Sequence, residues 1–341
     1  MAKTADPKKV LVESLKRRIL TLAEVASILG VEKSQAAVHV RDLEHRGVNV
    51  LKVGDSYSIE KNPAIGLRNT YTYQSRPDNT YVFGACGDAH LGSKYERLDC
   101  LNELYDMYAT AGVDRVFNAG NWIEGEATFN RHDVSVRGMD NQLEHLVSKY
   151  PCRKGIVTYA VSGDDHEGWY GQREGVDIGR RAEADFKDAG RDDWVNLGFM
   201  ESTIRLVNYN SGKVAKLSVI HPGGGSAYAL SYTSQKIIES YSEAERPDIS
   251  LQGHYHKLWS GIILGSWVVQ TGTCQDQTPF MRKKRLQAHV GGSIVVAHQD
   301  PKSGRIYRFQ PELISLGVKG LVNGRWSYAG KVSLPPRGLR T

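Results

Sequence analysis

Cysteine is scarce in this chain. Four stand among 341 residues (Cys86, Cys100, Cys152 and Cys274), and no two are spaced as Cys-x-x-Cys. That scatter excludes a disulfide scaffold and a thiolate zinc module, and it reads as free thiols in a reducing compartment. No run of about 18 apolar residues occurs, so no stretch is expected to span a membrane. The opening Met1-Ala2-Lys3-Thr4-Ala5-Asp6-Pro7-Lys8-Lys9 lacks the apolar core of a signal peptide, and a cytoplasmic location is expected. Neither an internal repeat nor a low-complexity tract is evident.

Acidic residues are few at one end. Residues 281–341 hold twelve Lys or Arg against two Asp or Glu, while the whole chain carries +6. The run Arg282-Lys283-Lys284-Arg285 opens this stretch. It reads either as a phosphate-backbone contact surface or as a solvated basic rim. The chain as a whole is ordinary for a globular protein, with 40% hydrophobic and 24% charged residues.

Residues 1–60 form one expected unit. Val10, Leu11, Leu15 and Ile19 have helical spacing within Lys8 to Leu20. Thr21 and Glu24 form a capping-box pattern ahead of a second helix that ends at Gly30. Ser34 is the expected cap of a third helix carrying Ala36, Ala37, Val38 and Leu43 for packing and ending at Gly47. Two alternating runs around Gly54-Asp55 then suggest a hairpin. The segment resembles the winged helix-turn-helix domains of bacterial and phage regulators. That resemblance would present Lys33, Ser34, Gln35 and His39 to a DNA groove, with Lys52 on the wing. Ten basic and eight acidic residues in this unit are a modest surplus for a DNA reader, so a protein-contact or dimerisation role stays open. Residues 61–79 lack periodicity and read as a linker.

From Thr80 strands and helices alternate, which predicts an α/β chain. Five polar clusters follow apolar runs: Gly87-Asp88-Ala89-His90, Gly120-Asn121, Asp164-Asp165-His166-Glu167, His221, and Gly253-His254-Tyr255-His256. Carboxylates and imidazoles at strand ends sit where α/β proteins bind ligands, and they suit Zn, Mn and Fe. After His256 the runs are β-like without long helices, which suggests a second sheet. His221-Pro222-Gly223-Gly224-Gly225 reads as a tight turn opening a helix at Ala227; Gly-Lys-Ser/Thr of a nucleotide P-loop is missing there. Arg131, His132 and Arg137 read as a solvated loop.

Over residues 80–300 these clusters, in this order, resemble the calcineurin-like metallophosphoesterase superfamily. Asp88-Ala89-His90-Leu91-Gly92 is similar to the corresponding stretch of SbcD-type DNA-repair nucleases. The resemblance implies a two-sheet, four-layer fold of the α+β sandwich kind, followed by a basic extension over residues 301–341. It implies two divalent cations, with Mn²⁺ foremost and Zn²⁺, Fe²⁺ or Mg²⁺ as alternatives. Asp88, His90 and His256 would hold one; Asp165, His221 and His254 the other; Asn121 would lie between. It also implies His166 as the acid for the leaving oxygen, with Glu167 orienting it. Asn121 stands where the family has a bridging Asp, and Asp165 where it has Asn, so one carboxylate is lost and one gained. Asp164 remains a rival to Asp165, and Glu124 reads as a structural residue. The function implied is hydrolysis of a nucleic-acid phosphodiester by metal-bound hydroxide, with DNA as partner and no membrane. A small-molecule phosphatase, a cyclic-nucleotide esterase and a DNA-binding regulator with little turnover remain alternatives, as does a homo-oligomer.

Overall fold

A computed structural model describes residues 7–45, 48, 50–53, 55–59, 71–225, 227, 229–317, 319–322 and 325–328. The N-terminal unit contains α1 (Pro7–Arg17), β1 (Leu20–Thr21), α2 (Leu22–Leu29), α3 (Lys33–His45), β2 (Val50–Val53) and β3 (Ser56–Ile59). Its antiparallel sheet has the order β1-β3-β2. Thr21 and Glu24 make the expected capping box at α2, and Gly30 closes the helix at φ 67°.

The other expectations for this unit shift slightly. Ile19 lies beyond α1 and is 65% exposed, whereas Leu20 is buried as the first residue of β1. Ser34 falls inside α3, because the Ala36 N–H already bonds the Glu32 carbonyl. Ala36, Val40 and Leu43 face the core, and Val38 faces water. Gly47 and Gly54 lie outside the described residues.

The body follows as β4 (Tyr71–Gln74), β5 (Thr80–Cys86), α4 (Leu98–Thr110), β6 (Arg115–Asn118), α5 (Met139–Lys149), β7 (Val157–Ser162), α6 (Glu167–Glu174), α7 (Ile178–Asp188) and β8 (Trp194–Phe199). Next come β9 (Glu201–Val207), β10 (Val214–Ile220), α8 (Tyr232–Ser240), β11 (Ile249–Gln252), β12 (Leu258–Ile263), β13 (Ser266–Thr271), α9 (Pro279–Lys284), β14 (Gly291–Gln299) and β15 (Ile306–Ser315). A last hairpin pairs β16 (Lys319–Val322) with β17 (Arg325–Tyr328).

Two six-stranded mixed sheets make the body, β15-β14-β5-β6-β7-β8 and β12-β13-β11-β10-β9-β4. Phe83, Phe117, Leu217, Val219 and Leu251 interlock between them. Helices α4, α5 and α7 cover the outer face of the first sheet, and Ile238 of α8 packs on the second. The layering is therefore helix, sheet, sheet, helix, an α/β fold as expected. Truncating Leu217 to alanine is expected to cost about 2–5 kcal/mol, read as a drop in the denaturant midpoint.

Three boundaries move. Tyr71–Gln74, expected in a linker, is a strand of the second sheet paired with β9. Of the rest of that expected linker, residues 61–70 lie outside the described residues and residues 75–79 form the turn into β5. Ile306–Ser315, expected in a basic extension, is an edge strand of the first sheet, burying Ile306, Phe309 and Ile314 while its charged residues face water. Helix α8 starts at Tyr232 rather than Ala227.

The N-terminal unit packs on the body beside α6. Val176 enters its core, Ile59 meets Gly175, and the Lys16 ammonium donates to the Arg173 carbonyl at 3.0 Å.

Candidate metal centre

Five strands end at one place. Asp88 and His90 follow β5, Asn121 follows β6, Asp165 follows β7, His221 follows β10, and His254 and His256 follow β11. Because β5, β6 and β7 run parallel in one sheet and β10 and β11 in the other, both sheets deliver their carboxyl ends to the same edge. The backbone there is unusual. Nine described non-glycine residues have positive φ, and five of them are Asp88, His90, Asn121, His254 and His256. Each such residue costs about 1–3 kcal/mol, so their concentration at one edge marks a site held in place by the rest of the fold.

Among the described residues the donors converge in three groups: the two expected ones, and a third that joins His90 to Glu124 and His166. Asp88 Oδ1, His90 Nε2 and His256 Nε2 lie 3.0–3.8 Å apart pairwise. Asp165 Oδ1 is 3.6 Å from His221 Nε2, and its Oδ2 is 3.5 Å from His254 Nδ1. Metal–ligand bonds of about 2.1 Å separate neighbouring ligands by roughly 3.0–3.4 Å, so the 3.0–3.8 Å spacings here lie within a few tenths of an ångström of those around one divalent cation. Each group is able to hold a metal ion.

Hydrogen bonds set the imidazole tautomers. His221 Nδ1 donates to the Ala119 carbonyl at 2.6 Å, leaving Nε2 as a lone pair toward Asp165. His254 Nε2 donates to the Gly224 carbonyl at 2.6 Å, leaving Nδ1. His90 Nδ1 makes no hydrogen bond but lies 3.2 Å from the Glu124 carboxylate, with Nε2 toward Asp88 and His256. Second partners of this kind fix metal-binding imidazoles. Asp88 Oδ1, Asn121 Oδ1, Asp165 Oδ1, His221 Nε2 and His254 Nδ1 are buried without a hydrogen-bond partner. An orphan of this kind costs about 1–3 kcal/mol, and a cation in each donor group would satisfy them.

The electrostatics agree. Burial pulls His90 well below the usual imidazole range, aided by His166 and His256. Burial and His221 also lower His254. Burial opposes charge on His221, yet the Asp165 carboxylate 3.6 Å away and the nearby Asp88 push it up to about 9. Asp165 stays far below the usual carboxylate range, because His221, His166 and His254 outweigh its burial. Without a cation the two carboxylates draw positive charge onto an imidazole. A bound cation would take that proton's place and release it.

Glycines allow the close approach. A Cβ on Gly163 would stand 2.4 Å from Asn121 Oδ1 and 3.0 Å from His221 Nε2. Gly163→Ala should therefore weaken metal binding on the Asp165 side about tenfold or more with the fold retained, as calorimetric titration would show.

Both predicted donor groups come together as named, and Asn121 lies at His221. Asp165, not Asp164, joins His221 and His254; Asp164 lines a separate small cavity. His166 lines the main cavity, with its ring 4.3 Å from that of His90. Burial lowers its pKa, but Asp165 and Glu124 outweigh this and hold it above the usual imidazole value.

Glu167 does not orient His166. Its Oε1 instead accepts the backbone N–H groups of Asn121 and Gly163, tying two of the loops together, and burial pushes it up to about 7. The Glu124 carbonyl holds His166 Nδ1 at 2.6 Å. Lys33, Ser34 and Gln35 are exposed on α3, His39 is half-buried, and Lys52 is exposed on β2. Of Arg282, Lys283, Lys284 and Arg285, only Lys284 lines the cavity. Arg131, His132 and Arg137 bond to one another in an exposed loop.

Sequence reasoning missed the support layer. Glu124, read as structural, also accepts from Asn130 and Gln275, each at 3.0 Å. Gln275 had a signal of the same kind as the others, a polar residue shortly after an apolar strand and a glycine. Phe129 and Phe280 had none. Glu124→Gln should lower metal affinity at the His90 side about 10–100-fold, checked by equilibrium dialysis.

A scan against protein-family models gives no match, and neither does a search of curated proteins. Solved structures resemble the chain at low identity. A structure described as a novel archaeal phosphodiesterase is 11% identical, with 69% of this chain and 100% of that chain covered, at a TM-score of 0.35. Vps29 from Entamoeba histolytica complexed with zinc is 12% identical over 69% of this chain and 99% of that one, at a TM-score of 0.33. A predicted phosphoesterase from Streptococcus pneumoniae is 13% identical over 69% and 98%, at a TM-score of 0.29.

Proposed function

We propose that the chain is a metal-dependent phosphoesterase that hydrolyses nucleic-acid phosphodiester bonds. The observation that supports this best is the pair of donor groups, Asp88/His90/His256 and Asp165/His221/His254, four of whose residues (His90, His256, Asp165 and His254) line one cavity of about 520 Å³ with His166 in its wall. When bound, two such cations would stabilise charge on a phosphoryl group and lower the pKa of water.

The chain's own residues divide the remaining work. A water that has given one proton to solvent forms the new bond to phosphorus, the ester P–O bond breaks, and the leaving oxygen takes its proton from His166, which is reprotonated from solvent. Glu124 holds His166 through its carbonyl and His90 through its carboxylate. Glu167 fixes the Asn121 and Gly163 backbones, and Gly224 fixes His254.

We assign the N-terminal unit to DNA. The exposed Lys33, Ser34 and Gln35 at the start of α3 and Lys52 on β2 support this. Because the unit packs on α6, point variants test it more cleanly than deletion. Lys33→Ala should weaken duplex binding and lower the slope of log affinity against log salt by about 1. An unchanged slope would assign this face to protein contacts.

The test of function is incubation of labelled single- and double-stranded DNA with Mn²⁺, Mg²⁺ or Zn²⁺. Cleavage that requires metal and stops on chelation supports the proposal. Metal and DNA binding without cleavage would instead make the chain a DNA-binding regulator.

A further inference from the structure

Two large apolar rings stand in water beside a polar site. Phe129 is 50% exposed and Phe280 is 43% exposed, and both line the same cavity as His90, His166, His254 and His256. Singly exposed apolar residues are ordinary, but two adjacent rings over a cluster of imidazoles and carboxylates are not scattered exposure.

Their mountings are firm. Phe280 is on α9, which Thr278 caps by accepting from the Met281 N–H, with Met281 buried beneath. Phe129 precedes Asn130, whose amide donates to the Glu124 carbonyl at 2.8 Å and to its carboxylate at 3.0 Å. The residue that holds His90 and His166 therefore also anchors this ring.

The geometry restricts what fits. The two ring centroids are 6.2 Å apart at an interplanar angle of 46°. A flat group sandwiched between two rings needs roughly 7 Å, two van der Waals contacts of about 3.5 Å. The pair is therefore not a clamp: one ring offers its face to a flat group while the other, tilted by 46°, flanks it. Phe129 also stands edge-on to His166, with centroids 5.3 Å apart. Lys284 lines the same cavity and supplies a cation for a neighbouring phosphate.

We propose that Phe129 and Phe280 form a stacking platform for the nucleobase on the leaving-group side of the scissile phosphodiester, which makes single-stranded nucleic acid the substrate class. The inference rests on the phosphoesterase reading above. The side follows from His166: the group that protonates the leaving oxygen touches Phe129, so a base on that ring belongs to the departing nucleoside. The strandedness follows from access, since a base offers its face to a protein ring only when it is out of a duplex stack.

The test compares a dinucleoside monophosphate with its counterpart lacking the leaving-side base, in Mn²⁺, for the wild type and for Phe129→Ala, Phe280→Ala and Phe129→Trp. The readout is the ratio of kcat/KM for the two substrates. Stacking is worth about 5–150-fold per base, so each alanine variant should reduce that ratio by about this factor, and the tryptophan variant should restore it. An unchanged ratio, or an equal fall on both substrates, would overturn the proposal.

Thymidine monophosphate binding, measured by calorimetry in the same buffer, separates the two readings. If the wild type cleaves neither substrate, the phosphoesterase reading fails. Loss of nucleotide binding in both alanine variants, with recovery in Phe129→Trp, would still support the platform. Nucleotide binding unchanged in the alanine variants would overturn it.

Discussion

His166→Asn is expected to leave the metal content intact and lower turnover on nucleic acid by roughly 10²–10⁴-fold, the usual contribution of a positioned acid. The expectation comes from position. His166 follows Asp165 at the end of β7, lines the cavity, and is held through Nδ1 by the Glu124 carbonyl, outside both expected donor groups. The dependence on the leaving group sharpens the test. A nucleoside alkoxide needs a proton to depart, whereas a nitrophenolate does not, so the loss should shrink on a nitrophenyl diester. Metal content and activity falling together would make His166 a ligand.

Asp165→Asn should abolish tight binding of one cation. Asp165 turns one oxygen toward His221 and the other toward His254, so both of its oxygens serve one donor group. Asn121 offers only a neutral amide oxygen beside His221. The metallophosphoesterase pattern has the two residue types the other way round. Asn121→Asp combined with Asp165→Asn keeps the number of carboxylates, whereas either change alone alters it by one. The double variant should therefore retain more metal than the two single effects combined would allow, a coupling that a double-mutant cycle measures directly. Purely additive losses would show that the two positions do not share a cation site.

The donor groups were legible because their residue types carry the chemistry in any alignment of strands. Asp-x-His and His-x-His after apolar runs need little knowledge of distance. What held them in place was not legible. Nothing in the sequence says that Glu124 backs His90 through its side chain and His166 through its backbone, because that contact joins loops from different strands. Glu167 was misread for the same reason: adjacency in sequence suggested contact with His166, whereas its carboxylate turns back to two backbone N–H groups. The start and end of the layered body were obscured by composition. Tyr71–Gln74 stands near prolines, and Ile306–Ser315 is an edge strand whose exposed residues look like a charged tail. The positive φ values at Asp88, His90, Asn121, His254 and His256 had only the neighbouring glycines as a signal.

The central claim is that Asp88/His90/His256 and Asp165/His221/His254 are two cation sites. Calorimetric titration of chelator-stripped protein with Mn²⁺, paired with thermal unfolding at each point, tests it most directly. The expected result is two cations per chain, bound stepwise. The Asp165 side should fill first, because both oxygens of Asp165 and the amide of Asn121 serve it. Each step should raise Tm, since a ligand that binds only the folded state stabilises it by mass action. His221→Ala should remove the first step, and His256→Ala the second. A stripped protein that takes up no Mn²⁺, Zn²⁺ or Fe²⁺ and unfolds at the same temperature with or without them would contradict the claim.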